Sequence, residues 1–218
     1  MEMTKLRKDY EHILEISVYR RVAVTLCTSA PESTVHDFMK EISHELYDIT
    51  KEVKYQQLPY NEVEKFNFKD KEIDAMILCH SIQNRGFALT DVKDALYTRF
   101  LPIAVRELGK SKVGVIVHDL PTETILDDNE YEVKMESFRR QQPTTFKNAS
   151  MVFISGQLSN SPSQLGPGNW TELQTFIAKA SRFSEAPPYK ALRKVLLPAV
   201  IVFLVLLSLI LLFSIVLS

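Results

Sequence analysis

The chain has 218 residues, 45% of them hydrophobic and 24% charged, with a formal net charge of -1. That balance argues against a nucleic-acid binder, which needs cationic surface for phosphates, and the counts exclude disordered, collagenous and disulfide-rich chains. The average hides a split, because Val195 to Ser218 carries no charge and only Pro198, Ser208, Ser214 and Ser218 interrupt its apolar run.

Met3, Leu6, Tyr10, Ile13 and Leu14 recur at helical spacing, so residues 1–19 are expected to hold an amphipathic helix ending near residue 17. Val22 to Cys27 reads as a buried strand. Thr28 to Thr34 reads as a loop whose hydroxyls are N-cap candidates for a helix carrying Val35, Phe38, Met39, Ile42 and Leu46 on one face. Val53 to Leu58 alternates as a second strand and Ile73 to Cys79 is a third, apolar throughout its centre. A helix is predicted from Thr90, as cap, to Leu108, with Gly109 closing it. Val113 to Val117 and Met151 to Ile154 are the fourth and fifth strands. Pro121 to Lys147 between them is polar and partly helical around Val133 to Arg140. Gly156 to Gly168 is a loop rich in Ser, Gly, Pro and Asn. Trp170 to Phe183 reads as the last helix of this part.

Apolar strands separated by helices indicate an α/β fold: a three-layer, Rossmann-like sandwich around a mostly parallel five-stranded sheet, over residues 20–183. Residues 184–194 follow as a linker with a basic flank, and 195–218 as a span. About 20 apolar residues suffice to cross a hydrocarbon core of roughly 30 Å, and lipid requires the backbone to satisfy itself as a helix. Lys190, Arg193 and Lys194 precede the span and no basic residue follows it, so the N-terminal side is expected to face the cytosol. The first residues form no signal peptide. This end resembles a tail anchor, and its length and lack of a basic terminus resemble endoplasmic reticulum anchors more than mitochondrial ones. The expected localisation is therefore the endoplasmic reticulum membrane, single-pass. The two cysteines fit a reducing compartment, where Asn148-Ala-Ser and Asn169-Trp-Thr would stay unglycosylated.

Ligands of open parallel sheets sit outside the carboxyl ends of the strands. The loop after the first strand is the natural phosphate-binding position, since it leads to a helix N-terminus. A phosphate-binding NTPase needs G-x-x-x-x-G-K-[ST] there. This chain has Leu26-Cys-Thr-Ser-Ala-Pro-Glu-Ser33, keeping the hydroxyl but neither glycine, and putting Glu32 at the lysine position. Arg21-Val-Ala-Val-Thr and Glu32-Ser-Thr nonetheless resemble the P-loop GTPase superfamily, especially the membrane-associated immunity GTPases. Gln57-Leu-Pro-Tyr60 stands where these carry Asp-x-x-Gly, Val115-Ile-Val-His-Asp119 near their guanine-reading motif, and Ser155-Gly resembles their final Ser-Ala. With lysine, switch aspartate and base-reading motif all lost, the resemblance implies a pseudo-GTPase kept for its surface. Five strands equally resemble the flavodoxin-like pattern.

The expectation is thus a domain without a catalytic site, metal or bound cofactor, which meets a protein partner while Val195 to Ser218 holds the membrane. The alternative is a divergent nucleotide- or flavin-binding enzyme or sensor, with Thr28, Ser29, Ser33 and Thr34 as its cofactor ligands. Pro31 and Glu32 argue against a flavin phosphate there. His80, Ser81, His118 and Asp119 could converge with Cys27 and Cys79 as nucleophile and base, although polar residues at strand ends more often satisfy backbone groups. A zinc site from Cys27, Cys79, His80 and His118 lacks ligand spacing. Asn84-Arg-Gly-Phe87 is a basic-aromatic turn that could touch a partner.

Overall fold

The computed structural model describes residues 21–59, 62–68 and 71–182. The expected N-terminal helix, the linker and the span at Val195 to Ser218 lie outside the described residues. Among the described residues, no helix is long and apolar enough to cross a membrane.

The runs rich in β-branched residues form β1 (Val22–Thr28), β2 (Thr50–Gln57), β3 (Ala75–Ser81), β4 (Val113–His118) and β5 (Met151–Ile154). They make one sheet in the order β2-β1-β3-β4-β5. Every pairing is parallel, so the sheet is wholly rather than mostly parallel. This is the doubly wound order of flavodoxin-like sheets, whose switch point lies between β1 and β3. The helices are α1 (His36–Glu45), α2 (Phe100–Leu108), α3 (Thr122–Leu126), α4 (Asp128–Gln141), α5 (Pro143–Asn148) and α6 (Asn169–Arg182).

Because side chains alternate along a strand, each strand feeds two cores. Val24, Leu26, Ile77, Cys79, Ile116 and Phe153 meet Phe38 and Ile42 of α1 and Leu173, Phe176 and Ile177 of α6. Cys27, Met76, Leu78, Val115, Val117 and Ile154 meet Phe100 and Leu101 of α2 and Tyr131, Met135 and Phe138 of α4. Burying each large apolar side chain is worth about 1.5–3 kcal/mol, so the two cores together hold the sheet between its helical layers.

Three local expectations are corrected. Residues 90–99 are turns, not helix: Thr90 is 3% exposed, and its N–H and hydroxyl bind Gln142 Oε1 while the hydroxyl also meets Thr145. Helix α2 begins only at Phe100, with Arg99 at its cap, and ends at Gly109, whose φ of 93° favours glycine. The polar stretch before β5 holds three helices. Asp127 accepts from the N–H groups of Asn129 and Glu130, starting α4, and Pro143 starts α5. Strand β2 begins at Thr50, three residues before the predicted Val53, and β3 runs from Ala75 to Ser81 rather than Ile73 to Cys79. The β2–β3 crossover contains only a 3-10 turn, Val63–Lys65, among its described residues. Phe66 and Phe68 fill the space there, Phe68 stacking on Phe100 at 5.6 Å.

Candidate functional site

The loop between β1 and α1 stands at the switch point, but three of its four hydroxyls are committed to the chain itself. Thr28 is 2% exposed and its Oγ1 accepts from the Ala30 N–H at 3.1 Å. The Ser29 hydroxyl bonds the Tyr97 phenol. Thr34 Oγ1 donates to the Pro31 carbonyl at 2.8 Å, so neither Thr34 nor Ser33 caps α1, whose N-cap is Val35. Ser33 alone of the four stays exposed. An anion at a helix N-terminus needs free N–H groups. Here Thr34 and Val35 donate to Pro31 and Glu32, and Phe38 donates to the Leu158 carbonyl at 3.2 Å. The Glu32 carboxylate adds negative charge to the same turn.

Leu158 belongs to the loop after β5, which reaches across the carboxyl edge of the sheet. Its side chain is fully buried in the core that contains Leu26, Cys79 and Phe38. A second tether runs from the Ser163 N–H to Glu41 Oε1 at 2.7 Å. On the other face Tyr97, 1% exposed, occupies the equivalent position. Its ring meets His80 edge-on at 5.6 Å, and burial pushes its phenol up to about 12. His80 Nε2 donates to the Gly86 carbonyl at 2.7 Å, and burial pulls the imidazole down to about 4, so it is neutral.

Ser81, His118 and Asp119 come together at the ends of β3 and β4, while His80 lies on the opposite face of the sheet with Tyr97. Ser81 donates directly to Asp119 Oδ2, with no imidazole between them. Nucleophile activation needs the base on the hydroxyl, so this arrangement fixes the strand ends instead. His118 is fully buried, its Nδ1 3.1 Å from Asp119 Oδ2. The ring is poorly aligned for a hydrogen bond there, so the approach is a close polar contact, and neither nitrogen has a well-formed partner. Burial alone would raise the Asp119 carboxyl, but the His118 ring and the Ser81 hydroxyl outweigh it and hold it below the usual carboxylate range.

Cys27 and Cys79 face opposite cores. Burial pushes Cys27 up to about 12 and Cys79 upward as well, which leaves both as inert thiols. Among the described residues no group of three or more His, Cys, Asp or Glu could hold a metal ion. A cavity of about 280 Å³ opens away from the switch point, beside the edge strand, with Thr25, Lys54, Lys71 and Glu72 in its lining.

The turn Asn84 to Phe87 is held within the fold: Arg85 Nη1 donates to the Asp94 carbonyl at 3.1 Å, and the Phe87 ring packs 5.1 Å from Phe138. Three residues that shape the site carried little sequence signal. Leu158 is an apolar residue inside a Ser, Gly, Pro and Asn-rich loop, and that contrast was its clue. Tyr97 falls in the part of the predicted helix, residues 90–99, that is not helical. In the sequence Asn169 stands out only as part of the sequon Asn169-Trp-Thr. It is 2% exposed, donates Nδ2 to the Tyr131 hydroxyl at 2.7 Å and accepts the Gly166 N–H at 2.9 Å. Gly166 is obligatory there, since a Cβ would lie 2.4 Å from the Tyr131 ring. Compared with protein-family models and with curated proteins, the chain matches neither.

Proposed function

We propose that this chain is a membrane-anchored protein whose α/β domain is a non-catalytic interaction or regulatory module, held at the cytosolic face of the endoplasmic reticulum by residues 195–218. The observation that carries the reading is the filled crevice at the switch point. Leu158 occupies it from one face and Tyr97 from the other, while the Leu158 carbonyl takes the Phe38 N–H, one of the donors in the first turn of α1. A domain so closed keeps its surface, and a protein partner is what a surface serves. The loss of glycines and lysine from the loop supports the same reading, in the manner of a pseudo-GTPase.

The cytosolic side is supported by Asn169. A lumenal domain would present Asn169-Trp-Thr to glycosylation before folding, and a glycan on Nδ2 would displace the buried bond to Tyr131. The test of function is calorimetric titration of the full chain in detergent with GTP, GDP, ATP and FMN. No binding is expected, and micromolar affinity for any of them would sink the reading. The second reading, a divergent flavin or nucleotide sensor, is favoured by the strand order, which places the loop of Thr28, Ser29, Ser33 and Thr34 where flavodoxin-like sheets bind FMN. Under it, S33A/T34A would abolish ligand binding.

A further inference from the structure

We propose that β2 is a self-association edge: two copies of this chain pair β2 with β2 antiparallel, about a two-fold axis at Val53, into one continuous sheet. Both edges of the sheet need protection from such pairing. Strand β5 has it, being four residues long and followed by a segment that turns back so that Ser155 bridges Leu165. Strand β2 is twice that length, eight residues without proline, and its outer side pairs with no other strand among the described residues.

The sequence of β2 is self-complementary in one register. Side chains alternate between faces, and a two-fold axis perpendicular to the sheet keeps like faces together, which permits only alternate registers. Two of these overlap most of the strand. Centring on Lys54 sets that ammonium against its own copy, which repels. Centring on Val53 sets Val53 against Val53 and places Glu52 opposite Lys54 of the second copy, twice over. Lys51 then lies opposite Tyr55, whose ring stem is fixed because its hydroxyl donates to the Ala30 carbonyl at 2.7 Å. The charges are already disposed for the exchange: Lys54 Nζ lies 2.9 Å from Glu52 on the same strand, and that pairing raises the Lys54 ammonium above its ordinary value. Edge lysines ordinarily discourage pairing, but here each meets an acceptor in the partner. Val53 itself is half-buried against the α1 core, so the axis falls on an ordered apolar position. The proposal stands on strand geometry and holds whether or not the domain binds a nucleotide.

The test is cysteine crosslinking of the full chain in detergent. The native cysteines are fully buried, so V53C supplies the accessible thiol. Under mild oxidation V53C is expected to give mostly disulfide-linked dimer. E52C should crosslink only when mixed with K54C, since those positions are opposite each other. K54E should weaken dimerisation about tenfold or more, and E52K/K54E should restore it. Thermal melting of each variant checks that it folds. The proposal is overturned if folded V53C stays monomeric, if it crosslinks only to another protein, or if E52C crosslinks to itself as readily as to K54C. Equal weakening by K54E and by E52K/K54E would overturn it as well. A dimer held elsewhere in the chain would survive K54E and leave the V53C crosslink absent.

Discussion

The carboxyl edge of the sheet and the β2 edge are opposites. At the first, where this architecture places ligands, the chain has closed the space with its own residues: Leu158 and Tyr97 are buried and the loop hydroxyls of Thr28, Ser29 and Thr34 are bonded inward. At the second, the outer side of an eight-residue strand pairs with no other strand among the described residues, beside a cavity and a buried hydroxyl on Thr25 that has no partner. The difference teaches which part of the sheet the chain itself has filled. A site that must admit a ligand leaves donors free and side chains short, whereas this one is packed like a core. Thr25 of β1 has an unsatisfied hydroxyl beside that cavity, whereas at the carboxyl edge the unsatisfied groups are the nitrogens of His118.

The comparison breaks most directly at Leu158. If its side chain is core, L158A costs about 3 kcal/mol in chemical denaturation, as buried leucine truncations do. A loss below about 1 kcal/mol would mean that the loop is a loosely seated cover. The next effect is one of pH. The fold favours neutral His80, so its folded value lies below the unfolded one. Its contribution is complete above about pH 6.5 and is lost as the pH falls toward about 4. The full loss is about 3 kcal/mol, and unfolding free energies across that window would lack it in H80F. Asp119 and Asp91 act lower: for both, burial opposes and hydrogen bonds favour the charged form, so they destabilise only as the pH falls below the ordinary carboxylate range.

A smaller effect is expected at Asn169. N169A leaves the Gly166 N–H without its partner and removes one of the two hydrogen bonds of the Tyr131 hydroxyl, and should cost about 2 kcal/mol in the same assay. An endoglycosidase shift of the cellular protein would separately contradict the cytosolic placement. Smallest is Thr25. T25V removes a buried hydroxyl without a partner and keeps the shape, so it should stabilise by about 1 kcal/mol. Destabilisation would reveal a hydrogen bond made by that hydroxyl.

Much of the architecture was legible because four strands are apolar runs with little ambiguity, and α1 shows its buried Phe38 and Ile42 at helical spacing. The start of β2 is hard to read because Thr50-Lys-Glu opens it, and an edge strand facing solvent loses the apolar signature. Residues 90–99 are not helical although Leu89, Tyr97 and Leu101 stand at helical spacing. Tertiary bonds from Thr90 to Gln142 and Thr145 prevail over that local pattern. For α4, Asp127 and Glu130 were a readable capping pair that the polar composition obscured. At the site, the loop hydroxyls were visible but their partners were not. Tyr97 and Leu158 arrive from distant segments, and no local rule places them over β1.

The central claim is that the switch-point crevice is closed by the chain itself, and residue-resolved hydrogen exchange tests it at the Phe38 amide. That N–H is bonded to the Leu158 carbonyl across the crevice. The account expects exchange there as slow as in β1 and β3, unchanged by saturating FMN or GTP. Fast exchange at Phe38 that either ligand slows would contradict it.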